Sequence, residues 1–251
     1  FNMVKVGIIG GSGLDDPHFL KNPESIGVNT IYGAPSSSLL TGVISGVPVA
    51  ILARHGNLHT IPPTHVNNRA NITALKEFGC THIIATTAVG SLREQIERGD
   101  LVILDQFIDF TRRRHLTFHD VFEPHSAVHT AMADPFDENL RRILIASAAE
   151  LGIKHHPSGT VVTIEGPRFS TRAESKMFRL WGADVINMSI APEAALANEA
   201  RIPYAAVAMS TDYDCWKTDE EPVTWDAILQ IFNENVGKVV KLILQTIPKI
   251  K

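Results

Sequence analysis

Short runs rich in β-branched and apolar residues alternate with longer helix-period patterns along the chain, and this alternation confines the fold more tightly than any single motif. The runs Val4–Ile9, Val47–Ala53, His82–Thr87, Leu101–Asp105, Gly159–Ile164, Asp184–Met188 and Tyr204–Met209 read as strands. Between them, Arg69–Phe78, Glu138–Leu151, Arg172–Trp181, Pro192–Ala200 and Trp225–Thr246 read as helices. Near-continuously apolar strands alternating with helices predict an α/β fold, a sheet covered by helices on both faces. Asp137 stands where an N-cap belongs, ahead of the stripe Leu140, Ile143, Leu144, Ala148 and Leu151, and Gly152 where that helix should stop. No repeat, charge block or low-complexity linker divides the chain, so a single domain over residues 3–251 is expected. The least regular stretch, Thr111 to Asp137, carries Arg112-Arg113-Arg114, four histidines and two prolines, and is expected to be a functional or subunit-contacting excursion.

The formal net charge of −4 and pI near 6.3 argue against a nucleic-acid or anionic-membrane surface, so any anion must be held locally. No apolar run approaches the roughly 18 residues of a membrane span. Cys80 and Cys215 are far apart and outside any CxxC pair, which fits a reducing compartment. Met3-Val-Lys-Val-Gly-Ile-Ile-Gly is too short and glycine-rich for a signal sequence, and a cytoplasmic location is expected.

The residues at the carboxyl ends of the strands bear on function. Asp212 and Asp214 come directly after the run Tyr204–Met209, so both are expected at a carboxyl strand end, where open α/β sheets bind ligands. A carboxylate accepts hydrogen bonds and, with its pKa raised by burial, also donates a proton; such a pair suits an amino group beside a ring nitrogen, the edge that adenine presents. The competing reading is a solvated acidic turn. After the first strand comes Gly10-Gly11-Ser12-Gly13, after the second Arg54-His55-Gly56, after His82–Ile84 the small-residue run Ala85 to Ser91, and after Asp184–Asn187 the pair Met188-Ser189. Together they put a cation, a titratable imidazole donor and several hydroxyls on the sheet edge that holds the two acids: an anion site beside a heterocycle site. The glycine turn is no dinucleotide fingerprint, since Asp16 stands where the third glycine is needed, and no GK[ST] comes after it for a P-loop.

The segments Gly-Ile-Ile-Gly-Gly-Ser-Gly-Leu-Asp-Asp, Ala-Arg-His-Gly, Thr-Thr-Ala-Val-Gly-Ser-Leu-Arg-Glu, Thr-Ile-Glu-Gly-Pro-Arg-Phe-Ser-Thr-Arg-Ala-Glu-Ser, Asn-Met-Ser-Ile-Ala-Pro-Glu and Ser-Thr-Asp-Tyr-Asp-Cys-Trp occur in order between Val4 and Ile247. In them the chain resembles the methylthioadenosine-cleaving branch of the trimeric purine nucleoside phosphorylase family. The resemblance implies a mixed central sheet flanked by helices, and cleavage by phosphate of the N-glycosidic bond of 5'-methylthioadenosine. It implies no cofactor beyond inorganic phosphate as co-substrate. It assigns phosphate to Ser12, Arg54, His55, Thr87, the backbone of Ala88 and Ser189, and the ribose to Met188 and Phe169. To the base it assigns Ser170, Asp212 and Asp214, and to the methylthio group Trp225, Ile228 and Leu229. His129 would reach in from a neighbouring subunit of a homotrimer, or of a dimer of trimers. The family usually has threonine at the positions of Ser12 and Ser189, has an aliphatic residue at that of Trp225, and continues beyond the position of Lys251 into a pocket-closing helix missing here.

The chemistry is consistent with that assignment. Phosphorolysis of an N-glycoside passes through a ribosyl cation-like state, so an anion must sit under C1' while charge on the departing purine is neutralised. Arg54, with His55 beside it, suits the first task and Asp212, as general acid, the second. The pairs His55/His59, His115/His119 and His125/His129 have i,i+4 spacing, yet no HExxH pattern or cysteine accompanies them, and no metal is expected. A non-catalytic nucleoside sensor and a phosphorylase of adenosine or 6-oxopurine nucleosides are the remaining alternatives.

Overall fold

The computed structural model describes residues 3–10, 18–219 and 224–251. Strands β1 (Val6–Gly10), β4 (Val47–Ala53), β5 (His82–Ser91) and β11 (Tyr204–Tyr213) form the centre of a mixed eleven-stranded sheet. Helices α1 (Asn68–Glu77), α2 (Glu138–Glu150), α3 (Arg172–Leu180), α4 (Ile190–Glu199) and α5 (Trp225–Thr246) flank it. The order runs β2 (Lys21–Ile26), β3 (Leu39–Ile44), β4, β1, β5, β10 (Val185–Asn187), β9 (Thr160–Ile164), β7 (Gln106–Phe110). A second arm leaves β5 through β11 to β6 (Leu101–Ile103) and β8 (His155–His156).

The sheet divides because β5 is ten residues long and takes three partners. Its first half lies parallel to β1 and β11, whereas Gly90 and Ser91 pair antiparallel with β10 while β11 continues alongside, after a register shift between Ser210 and Asp212. Both faces of the central strands are covered, as their apolar runs require. Ile8, Ile84, Leu101 and Val207 pack on one side with Leu144 of α2 and Leu242 of α5. Ile9, Ile83 and Ala206 pack on the other with Leu75 of α1 and Ala194 of α4. Each fully buried isoleucine or leucine contributes about 1.5–3 kcal/mol.

The sequence-based strands differ from the observed ones mainly at their ends. The Leu101–Asp105 run stops at Ile103, and the run from Tyr204 continues through Asp212 to Tyr213, so Asp212 is a strand residue and only Asp214 lies beyond the strand. Thr111–Asp137 lies outside helices and strands, but its own subunit anchors its ends. Arg114 bonds Glu165 and the carbonyl of Met188, Phe118 N–H donates to Glu199, and the carbonyl of Pro135 accepts from Asn198. Only the middle projects, with Val121 85% and Val128 44% exposed.

Asp137 caps α2, its Oδ1 accepting from Leu140 N–H at 2.8 Å. Asp137→Ala should lower stability by about 1 kcal/mol, read from the urea midpoint, with turnover unchanged.

Candidate active site

A cavity of about 180 Å³ opens where the sheet divides. Arg54 and His55 reach it from the end of β4, Thr87 to Gly90 from β5, Met188 and Ser189 from the turn after β10, and Asp212 and Asp214 from the end of β11. Phe169 and Ser170 border it ahead of α3, and Trp225, Ile228 and Leu229 line it from the first turns of α5. Of the residues singled out in the sequence, Ser12 lies outside those described. His129 does not line the cavity of its own subunit; it sits in the projecting segment against Phe122, ring centroids 5.8 Å apart.

Arg54 is almost wholly buried, and its donors are largely committed. Its Nε and Nη2 grip the carboxylate of Glu193, Nη2 at 3.0 Å, and Nη1 donates to the carbonyl of Thr86 at 2.9 Å. Burial alone would lower the guanidinium pKa, but Glu193 outweighs it and holds it above its usual value. Tyr204 donates to the same carboxylate at 2.8 Å.

His55 differs from its expected role as a titratable donor. Its Nδ1 lies 2.9 Å from the carbonyl of Ile61, which can only accept, so Nδ1 carries the proton and Nε2 is left as an acceptor. Burial, and then the charge of Arg54, push its pKa down to about 4, so the ring is neutral at working pH. It stacks on His59, which in turn meets Trp225, with centroids 4.7 and 5.4 Å apart.

The hydroxyls of Thr87 and Ser189 stand 3.2 Å apart and share a hydrogen bond, and the Asn187 amide donates to both. Thr163 fixes Asn187 by donating to its Oδ1. Ser189 is the N-cap residue of α4 yet makes no capping hydrogen bond with its side chain. Its hydroxyl thus stays at the cavity, near the helix N-terminus, whose dipole favours an anion.

At the other end, burial pushes the Asp212 carboxyl up to about 7, with the Asp214 charge adding to the rise, although the hydroxyl of Thr211 donates to its Oδ1 at 2.7 Å. Ser170 donates to Asp214 at 2.6 Å. Gly90 lets this end close: a Cβ there would stand 3.1 Å from both Asp212 Oδ2 and the Ile186 side chain. Gly166, at φ +66°, likewise admits Met188, whose Sδ would be 2.4 Å from a Cβ.

Sequence reasoning assigned no role to Glu193, Asn187 or Arg114. Glu193 carried one visible signal, an acid inside the otherwise apolar Ile190–Leu196. Asn187 stood in the quoted Asn-Met-Ser-Ile-Ala-Pro-Glu segment and Arg114 in the Arg112-Arg113-Arg114 run, but nothing local tied them to Thr87 and Glu165, 100 and 51 positions away.

The model of the phosphorylase superfamily matches residues 5–247. The S-methyl-5'-thioadenosine phosphorylases of Danio rerio and Xenopus tropicalis are 55% and 56% identical to this chain, each over 98% of it and 89% of their own length. Methylthioadenosine phosphorylase from Schistosoma mansoni in complex with adenine superposes with a TM-score of 0.93 at 44% identity, over 98% of this chain and 91% of that one. A strand-divided sheet with donors and carboxylates at opposite ends of one cavity therefore comes with extensive sequence identity, and the chain belongs to the S-methyl-5'-thioadenosine phosphorylase family of the phosphorylase superfamily.

Proposed function

We propose that this protein cleaves 5'-methylthioadenosine with inorganic phosphate, releasing adenine and 5-methylthioribose 1-phosphate. The observation that carries this reading is Asp212, whose pKa near 7 equips it as a general acid, in the cavity that also holds Arg54, Thr87 and Ser189. Phosphate takes the end formed by Arg54, His55, Thr87, the Ala88 backbone and Ser189, with Ser12 of the Gly10-Gly11-Ser12-Gly13 segment. Because its free ring nitrogen is an acceptor, His55 serves by receiving a hydrogen bond from a protonated phosphate oxygen or a sugar hydroxyl. Met188 and Phe169 hold the ribose, Ser170, Asp212 and Asp214 the base, and Trp225, Ile228 and Leu229 the methylthio group.

In the reaction the C1'–N9 bond breaks and its electron pair passes to the purine. The proton of Asp212 moves to N7, and a phosphate oxygen bonds C1' from the opposite side. Asp214 accepts from the exocyclic amine and is itself held by the hydroxyl of Ser170. No cofactor beyond phosphate enters. The reaction belongs to purine and methionine salvage, and a cytoplasmic setting agrees with the free thiols of Cys80 and Cys215.

Phosphorolysis rates for methylthioadenosine, adenosine, methylthioinosine and inosine, measured side by side, test the reading. A site built on hydrogen bonds to a 6-amino group should disfavour the 6-oxopurines by up to about 10⁴. Equal rates for adenosine and inosine would rule it out.

A homotrimer, alone or paired into a dimer of trimers, completes the proposal. Its support is the projecting segment with exposed Val121, Phe122 and Val128 beside His129. Mixing impaired His129→Ala with inactive Asp212→Ala subunits should raise methylthioadenosine turnover above that of either alone, because an intact Asp212 then meets an intact His129 of a neighbour. No rescue despite demonstrated subunit exchange would count against shared sites.

A further inference from the structure

Glu193 is fully buried in the first turn of α4, and the reaction gives it no contact with substrate. It nevertheless governs Arg54. Of the five guanidinium N–H groups, the one on Nε and one each on Nη1 and Nη2 are bonded to Glu193 and Thr86 among the described residues. That leaves one N–H on each terminal nitrogen for a ligand. Arg54 is also the one Lys or Arg among the described residues lining the cavity. The segments 1–2, 11–17 and 220–223 contain no Lys, Arg or His. The charge of the lining cation is therefore matched, within hydrogen-bond distance, by a carboxylate of opposite sign.

We propose that Glu193 is a positioning residue that both aims Arg54 and cancels its charge, so that phosphate is held by oriented donors in a cradle of zero net formal charge. This rests on the phosphorolysis reading and deepens it. A fully charged cradle would stabilise the dianion before the reaction, which binds the ground state and the transition state alike and does not accelerate the chemical step. In a neutral cradle, the donors of Thr87, Ser189, the α4 N-terminus and the outer edge of Arg54 fix the place of the anion. Its charge is then met by the ribosyl cation, which appears only as the C1'–N9 bond breaks. Phosphate thus binds weakly by itself and strongly opposite a cation.

The test compares the unaltered protein with Glu193→Gln and Tyr204→Phe. The first makes the cradle net positive; the second disturbs the same hydrogen-bond cluster without changing its charge. Glu193→Gln should bind inorganic phosphate about tenfold more tightly, gain a larger rise in Tm on phosphate addition, and turn over methylthioadenosine about 10²-fold more slowly. Tyr204→Phe should not tighten phosphate. Weaker or equal phosphate affinity in Glu193→Gln would overturn the inference, since a merely structural role for Glu193 moves affinity in that direction. Where Glu193→Gln does not fold, the unaltered protein decides. Phosphate should tighten a nucleoside analogue with a protonated nitrogen in the sugar ring at least about tenfold more than its neutral carbocyclic counterpart. Equal gains would overturn the proposal. An unaltered protein that does not phosphorolyse methylthioadenosine would instead sink the functional reading itself.

Discussion

Asp212→Asn should leave a protein that is more stable at pH 8 than the original and nearly inactive. The folded-state pKa of Asp212 is raised from 3.8 to about 7, so between those values the folded state binds a proton that the unfolded chain has released. Stability therefore falls as pH rises through that window and is lowest above about 7. The shift corresponds to roughly 4 kcal/mol at pH 8 and roughly 1.5 kcal/mol at pH 5. Asparagine carries no such charge and can still accept from Thr211, so the variant should melt about 10 °C higher at pH 8, with a smaller gain at pH 5. It cannot donate a proton to the departing base, and turnover should drop about 10²–10⁴-fold. In the unaltered protein kcat/KM should decline above about pH 7 as the acid form is lost, whereas the residual rate of Asp212→Asn should show no such limb. Thermal melts at the two pH values and a pH–rate profile check both halves. A variant less stable at pH 8 than at pH 5, relative to the original, would contradict the buried-acid account.

Arg54→Met should be the most damaging single change at the opposite end. It removes the guanidinium from phosphate and strands the carboxylate of Glu193, with Tyr204 the one remaining donor named to it. Breaking a buried pair in this way costs about 3–5 kcal/mol, while phosphate KM rises and kcat falls together. Arg54→Met combined with Glu193→Leu should recover most of that stability, because no charge remains buried, and recover none of the phosphate affinity. Denaturant midpoints and phosphate saturation curves separate the two effects. Loss of both quantities in the single variant and return of both in the double would show that Arg54 supports the fold alone.

The central architecture was legible because its signals are local. Val47–Ala53 and Trp225–Thr246 begin and end where the hydrophobic period says they should. β2, Lys21–Ile26, went unread since it is an edge strand with almost every residue exposed and has no apolar run to announce it. β3 was broken by Gly42, and β8 is two residues long. The end of β11 was misjudged at the polar Ser210-Thr211-Asp212, which stays in the strand because β5 runs on beside it as far as Ser91 and keeps pairing across the register shift. In the site, Arg54, His55, Met188 and Ser189 stood directly after strands and could be read in order, whereas the Phe169-Ser170 and α5 residues were assigned by resemblance alone. The pairings that hold the site in place, Arg54 with Glu193 across 139 positions, Thr87 with Asn187 across 100 and Glu165 with Arg114 across 51, belong to the tertiary fold and not to any local pattern.

The division of the sheet at β5 has a consequence for how such a site can change. Thr87 at the anion end and Gly90 at the carboxylate end lie three residues apart on one strand, a span of about 10 Å. On the proposed phosphorolysis the strand acts as a ruler between nucleophile and leaving group, pinned on either side by β1, β10 and β11 so that its graduations cannot slide. The wall proposed for the 5' substituent belongs to the start of α5, which the ruler does not include. Replacing Trp225 can therefore reshape what is accepted at that end while the distance over which the bond is made and broken stays the same.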